Sequence, residues 1–266
     1  MPRIISEQKD VDDSRLEEAS ESADRAGTQA SVSWEEYAKH YDEYVVPLTC
    51  YQDNISQLED FIRRYNLTDV QTVCDLGAGT GIYISAMHKI IKNCHFVHVD
   101  SDKAMVEYAQ SRYERENVSA TVTQIEIERL ALAPNSMDIV TAINVIYSLP
   151  QPEMRLQQIF DCTKPGGYFF AIDFGRKQKP VDWTFYFFKE MLFREGVAQT
   201  LKSVPSAISL FKRQAEAAEA QAHGEYWLHS TEEFAKAIAT SGFEVLEHRA
   251  CYRGYADLAI CQKPTA

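Results

Sequence analysis

Residues 72–81 read Thr72-Val73-Cys74-Asp75-Leu76-Gly77-Ala78-Gly79-Thr80-Gly81, and residues 95–100 read His95-Phe96-Val97-His98-Val99-Asp100. Each is a short run rich in β-branched or apolar residues. The first runs into glycines and the second ends in an acid, nineteen residues after Gly81. Glycines let the backbone turn tightly and approach a ligand, and an acid at the end of the second strand can accept both hydroxyl hydrogens of a ribose. The pair predicts a strand–turn–helix–strand unit that holds a nucleoside-containing cofactor. Outward from it, ATVTQI (120–125), MDIVTAI (137–143) and GYFFAID (167–173) read as further strands, with helical stretches near 81–91, 102–115 and 151–161. Such alternation predicts a parallel sheet covered by helices on both faces, with ligands outside the carboxyl ends of the strands. SGFEVLEHR (241–249) and YADLAICQK (255–263) read as two final strands able to form a hairpin, after a helix start at Ser230 and Thr231 followed by two glutamates.

The flanks behave differently. Residues 1–31 lack aromatics and any apolar period, which predicts a disordered tail. Aromatics then arrive together in SWEEYAKHYDEYVVPL (33–48), and Ile55, Leu58, Ile62 and Tyr65 follow at helical spacing. Residues 174–229 break the strand–helix alternation: the aromatic run Trp183, Phe185, Tyr186, Phe187, Phe188 and Phe193 precedes a polar helix-like stretch, so this segment reads as a helical insertion. The 266 residues are 45% hydrophobic and 25% charged, an ordinary globular composition that rules out collagenous and wholly disordered readings. No stretch approaches the roughly 18 apolar residues of a membrane span, and the first residues lack the apolar core of a signal peptide, so a cytoplasmic protein without stable membrane insertion is expected. A formal charge of −12 argues against nucleic acid as partner. Six scattered cysteines form no CxxC pair and read as buried free thiols.

The spacing GxGxG departs from the GxGxxG of dinucleotide sites, and Asp75, just before the first glycine, would oppose a pyrophosphate but welcome an ammonium group. At this point the sequence resembles the class I S-adenosylmethionine-dependent methyltransferases, especially those acting on small molecules. VCDLGAGTG (73–81) is similar to the family's first motif and HVDSDKAM (98–105) to its second. APNSMDIVTAINVIYSLPQPEMRLQQIFDCTKPGGYFFAID (133–173) resembles its fourth-strand region and the proline–glycine turn before the fifth strand. The resemblance implies a doubly wound, mostly parallel seven-stranded α/β sheet, Rossmann-like; the domain is expected over residues 32–266, with the insertion 174–229 read as a helical cap and 32–50 as an N-terminal lid. The resemblance does not extend to 174–229, which is read as a cap from its sequence pattern alone. It implies S-adenosyl-L-methionine as cofactor, approached by Gly77, Ala78 and Gly79. Asp75 would support the amino group, Asp100 the ribose hydroxyls, and Ser101 or Met105 would flank the adenine. Glu126 stands where the family often has an Asp for the adenine amino group, with Gln124 a nearby rival, and Asn144 matches the position facing the methyl group.

Tyr37 and Tyr41 lie four apart on an expected helix and share a face, either as a lid over the cofactor or as core packing. Tyr147 either lines an acceptor pocket or packs under the insertion. For a proton acceptor the candidates are His229, with His223 as a rival, and Asp173 at the end of the fifth strand. No metal is expected, because His95 and His98 point to opposite faces of one strand and His88 stands apart. The expected activity is methyl transfer to an oxygen, nitrogen or carbon of a small, apolar or aromatic organic acceptor, such as a specialised metabolite. The alternatives are a nucleotide-dependent oxidoreductase on a similar sheet and a catalytically silent cofactor-binding partner protein.

Overall fold

The computed structural model describes residues 38–265. The expected 1–31 tail, the first part of the expected lid and Tyr37 lie outside the described residues. Seven strands form one sheet: β1 (Thr72–Leu76), β2 (His95–Asp100), β3 (Ala120–Gln124), β4 (Met137–Ile143), β5 (Thr163–Phe174), β6 (Glu244–Cys251) and β7 (Ala256–Gln262). Their order is β3-β2-β1-β4-β5-β7-β6, with β7 antiparallel to both neighbours and the remaining pairs parallel. Strand order reverses between β1 and β4, which opens a crevice at their carboxyl ends.

Helices α1 (Thr49–Arg64), α2 (Ile82–Ile90) and α3 (Lys103–Glu116) follow the order of the chain, and α4 (Pro152–Cys162) leads into β5. Asp102 caps α3, accepting from the backbone N–H groups of Ala104 (2.9 Å) and Met105 (3.1 Å). Helix α6 (Thr231–Thr240) starts with the capping box that Ser230 and Glu233 predict. The central strands are apolar on both faces because a core covers each side. Phe61, Phe170 and Ile172 belong to one core, and Phe169, Phe234 and Phe243 to the other. β6 closes the sheet with the exposed residues Glu244, His248 and Arg249, which blunt an open edge.

The expected insertion is a long helical segment, α5 (Pro180–Ala222), broken at Gly196 (φ 76°, ψ 175°) and carrying Pro205. Its aromatic run, expected to act as one block, is divided by helical period. Trp183 and Phe187 turn inward to the core, while Phe185 (71% exposed) and Phe193 (92%) face outward. N-terminal to α1 the expected short helix is present as α-helical residues 38–40 that run into a π-helical turn, Tyr41–Val45. No described helix is long and apolar enough to cross a membrane.

Candidate functional site

The loop after β1 is built around three glycines in left-handed backbone, each for a different reason. A Cβ on Gly77 (φ +64°) would sit 2.6 Å from Val145 Cγ2, and one on Gly81 (φ +77°) would overlap the Tyr113 hydroxyl. At Gly79 (φ +54°) a Cβ would meet nothing within 4 Å. Gly77 therefore lets the loop close on the segment after β4, Gly81 makes room for Tyr113, and Gly79 borders open space. Tyr113 is pinned in turn by His98 on β2, whose Nδ1 lies 2.9 Å from the hydroxyl. His95, on the opposite face of the strand, pairs with Thr121 Oγ1 at 2.9 Å.

Asp100 ties this loop to the end of β2. Its Oδ2 accepts from Gly79 N–H at 2.8 Å and its Oδ1 from Asp102 N–H at 2.9 Å. A carboxylate offers about four acceptor sites, so two remain for the hydroxyls of a ribose. Asp75 lies beneath the loop, 1% exposed. Its Oδ1 accepts from Thr141 Oγ1 at 2.6 Å and its Oδ2 has no partner. Burial pushes its carboxyl up to about 7, against the Thr141 hydrogen bond and with help from the charge of Asp100. A buried, unpartnered carboxylate oxygen fits a cationic ligand group, and the open space at Gly79 fits close approach of the rest of the ligand. The residues present therefore suit the cofactor expected from the sequence.

Two cavities meet at Asn144. The first, a polar cleft of about 490 Å³, is lined by Gly77, Asp100, Ser101, Glu126, Asn144 and Tyr226 among others. The second, about 310 Å³, is lined by Tyr41, Tyr147, Phe174, Trp183, Phe187 and Tyr252 with Asn144 at its inner end. Asn144 holds its position through left-handed backbone (φ 57°) and an N–H bond of 2.6 Å to the Ile172 carbonyl. Of the residues expected at the cofactor, Gly77, Asp100, Ser101, Glu126 and Asn144 line the polar cleft, and Tyr41 lines the aromatic cavity. Ala78 is buried, with its N–H donating to the Val99 carbonyl at 3.0 Å. Met105 lies on the first turn of α3 and is absent from the lining of both cavities. The exposed Gln124 donates to the Ser101 carbonyl at 3.4 Å, which places it beside the cleft.

The structure sets His229 and Asp173, the expected proton acceptors, apart from both of these cavities. Both side chains have zero exposure and neither lines a cavity. His229 Nε2 lies 3.4 Å from Asp173 Oδ2 and Nδ1 lies 3.3 Å from Asp257 Oδ2, with the ring stacked on Phe234 at 4.7 Å. Burial alone would depress the imidazole, but hydrogen bonds and charge from Asp173 and Asp257 together raise it to about 9. The imidazole is thus clamped between two carboxylates, of which Asp173 is itself pushed toward its neutral form by burial, against its hydrogen bond with His229. Asp257 also pairs with Arg176 and accepts from Thr231 Oγ1 at 2.6 Å. Gly175 passes so close over His229 that a Cβ there would overlap it. His229 N–H donates to the Gly175 carbonyl at 3.0 Å, and Trp227 N–H donates to the Tyr147 carbonyl at 2.8 Å. The clamp therefore joins both ends of the insertion to the sheet. Tyr147, the third candidate, does line the aromatic cavity, its ring 5.5 Å from Phe174 and 5.2 Å from Tyr226. His223 is exposed, 4.0 Å from Glu225.

Sequence reasoning passed over Asp42. This residue of the π-helical turn pairs with the buried Arg112 of α3 and accepts from Thr80 Oγ1 at 2.7 Å, while Arg112 Nε donates to the Thr80 carbonyl at 2.9 Å. The glycine loop and the turn bearing Tyr41 are thereby locked together. Tyr252 and Gln178 at the aromatic cavity were also missed, since neither belongs to a motif.

Residues 73–167 match the family described as Methyltransferase domain. A ubiquinone biosynthesis O-methyltransferase of Pseudomonas fluorescens (strain SBW25) is 31% identical over 117 residues, which are 44% of this chain and 49% of the relative. The chain thus spans about half the length of that curated relative. Among solved structures, a SAM-dependent methyltransferase from Aquifex aeolicus superposes with TM-score 0.56 at 16% identity, covering 85% of this chain and 97% of that one. The Haemonchus contortus phosphoethanolamine N-methyltransferase 2, in complex with phosphomonomethylethanolamine and S-adenosylhomocysteine, superposes with TM-score 0.59 at 14% identity over 87% and 58%. At such identities the structures speak for the fold, and the matched segment speaks for the family. It contains the glycine loop, Asp100, Asn144 and the Pro165-Gly166-Gly167 stretch of β5, so residues 73–167 are those of a methyltransferase domain, set on the fold shared with S-adenosylmethionine-dependent methyltransferases.

Proposed function

We propose that this chain transfers a methyl group from S-adenosylmethionine to a small, apolar or aromatic acceptor, and that an acidic hydroxyl, phenolic or enolic, suits the site best among oxygen, nitrogen and carbon nucleophiles. The observation that carries this reading is the meeting of the polar cleft and the aromatic cavity at Asn144. When bound, the sulfonium supplies an electrophilic methyl carbon. Asp75 holds the ammonium of the donor and Asp100 its ribose hydroxyls, Ser101 flanks the adenine, and Glu126 or Gln124 accepts from its amino group. Asn144 then stands where donor and acceptor meet. Positioning and exclusion of water are the protein's main contribution.

The described lining residues of the aromatic cavity are apolar or neutral polar, with Tyr41, Tyr147, Gln178 and Tyr252 among the latter. The phenol of Tyr252 is held well above its ordinary value by burial. An acceptor that ionises readily needs no base beside it, which favours a phenol or enol over an aliphatic alcohol. Relatives named as ubiquinone biosynthesis O-methyltransferases support the choice of an oxygen acceptor. Segment 174–229 serves as acceptor-selecting cap, and 32–50, including Tyr37 and Tyr41, as lid.

The test is calorimetric titration of S-adenosylhomocysteine and NAD, followed by an acceptor screen of phenols, enols, amines and aliphatic alcohols. Phe187→Ala is expected to raise the Michaelis constant of a phenolic acceptor about tenfold, a loss of about 1.4 kcal/mol of contact with the acceptor, with S-adenosylhomocysteine affinity unchanged. Asp100→Asn should weaken S-adenosylhomocysteine by about 1.5–3 kcal/mol. Its truncation to Ala is the poorer test, because Asp100 also anchors Gly79. Binding of NAD in preference would identify an oxidoreductase, and donor binding without turnover on any acceptor a silent partner.

A further inference from the structure

A third cavity lies on the other side of the cofactor cleft, away from the insertion. Its volume is about 300 Å³, between α4 and the segment that joins β3 to β4. Leu76, Ile127, Leu130, Leu132, Pro134 and Ile159 give it apolar walls, and Arg155 provides its cation. Arg155 is 6% exposed. Its Nη1 donates to Gln158 Oε1 at 2.7 Å, its Nη2 meets only the Met154 sulfur at 3.1 Å, and its Nε is buried without a partner. Among the described residues no carboxylate is recorded in an ion pair with it, whereas the equally buried Arg112 is paired with Asp42. Asp161, which also lines the cavity, is exposed and accepts from Gln157 Nε2 at 3.0 Å instead.

A guanidinium keeps its charge at any ordinary pH, and burying one without an anion is costly. Here the edge formed by Nε, which has no partner, and Nη2, which has only the Met154 sulfur, is the one a carboxylate grips with two parallel hydrogen bonds. The rest of the wall is hydrocarbon. We propose that this cavity binds an organic monocarboxylate of roughly ten heavy atoms, its carboxylate on Arg155 and its apolar body against Leu130, Leu132 and Ile159, as the volume and lining of a small-ligand site require.

The site is coupled to the donor cleft through shared structure. Ile127 lines both cavities, and Glu126 and Glu128 beside it line the cleft. These residues sit at the single short turn Ile127–Arg129, and Leu76, at the other wall, directly precedes Gly77. A ligand that orders this turn changes donor affinity, and by linkage the donor changes the ligand's affinity by the same factor. The coupling rests on the cofactor assignment proposed above, whereas carboxylate binding does not.

The test uses the full chain with phenylacetate and octanoate as probes, phenylacetamide as the neutral control and inorganic phosphate as a compact anion. Saturable binding of either carboxylate, at least tenfold tighter than phenylacetamide and tighter than phosphate, is expected, together with a raised unfolding temperature. Arg155→Met should abolish both the discrimination and the thermal shift, yet unfold at or above the wild-type temperature without ligand, since it removes an unpaired buried charge. A merely structural arginine would instead leave the variant less stable and the wild type indifferent to carboxylates. No saturable binding of either carboxylate, or equal affinity for acid and amide, overturns the site. Saturating phenylacetate should change S-adenosylhomocysteine affinity at least threefold in the wild type and leave Arg155→Met unchanged. Carboxylate binding with unaltered S-adenosylhomocysteine affinity overturns the coupling. Failure of S-adenosylhomocysteine to bind at all overturns the cofactor assignment and with it the coupling, while the carboxylate titration still decides the site.

Discussion

Replacing His229 by Gln removes a cation from between Asp173 and Asp257, whose side chains have no exposure to water. With both carboxylates ionised, the quartet formed with Arg176 is neutral only while His229 is protonated; burial pushes Asp173 the other way, toward its neutral acid, and the His229 hydrogen bond and charge oppose that push. The folded-state value of His229, about 9 against an ordinary 6.5, corresponds to about 3 kcal/mol of linkage. Because the folded value is the higher one, this stabilisation is fully present below pH 6.5 and is lost as pH rises through 9. At pH 6 the variant should be about 3–5 kcal/mol less stable than the wild type, the usual consequence of breaking a buried ion pair. By pH 10 that deficit should narrow by about 3 kcal/mol, leaving mainly the lost stacking on Phe234 and Trp227. Urea unfolding of both proteins at intervals from pH 6 to 10 measures the difference and cancels every other titrating group. The carbon-13 shift of the His229 ring gives its midpoint independently. A deficit constant with pH, or a midpoint near 6.5, would refute the clamp and reopen His229 as a candidate base.

Asp75, with its carboxyl at about 7, should make donor affinity rise with pH. If only the ionised carboxylate holds the ammonium, S-adenosylhomocysteine binds about tenfold more tightly at pH 8 than at pH 6. Calorimetry at both values decides this, with Asp75→Asn expected to bind weakly and without the pH dependence; a slope retained in that variant would point to another group. The glycines separate steric from conformational need. Gly77→Ala drives a methyl into Val145 and should lower the unfolding temperature by several degrees, whereas Gly79→Ala meets open space and should cost about 1–2 kcal/mol for its left-handed backbone alone. Equal unfolding temperatures for the two variants would mean that the loop does not close on the segment after β4 as described.

The β1 and β2 runs, the hairpin of β6 and β7 and the caps of α6 were legible from local chemistry. Each rests on neighbours within a few residues: alternation or continuous apolar character for strands, Ser230 and Glu233 for a helix start. The glycine loop and Asp100 were legible for the same reason, because their spacing is short and each residue type has few other uses. The division of the aromatic run was open to the helical period alone, which separates Trp183 and Phe187 from Phe185.

What the chain order could not give is which distant groups share a space. His229 looks like a free histidine in a polar connection until β5 and β7 bring Asp173 and Asp257 against its two ring nitrogens. Arg155 looks like a solvated charge on α4 until the 127–134 segment folds over it. Asp42 gains its meaning only when α3 presents Arg112. The sequence by itself determined the alternation of elements and the glycine loop, since hydrophobic period and turn residues act over a few positions. Tertiary structure alone decided where charge is buried, which histidine is held protonated and where two cavities meet at Asn144, since desolvation and ion pairing depend on groups tens of residues apart in the chain.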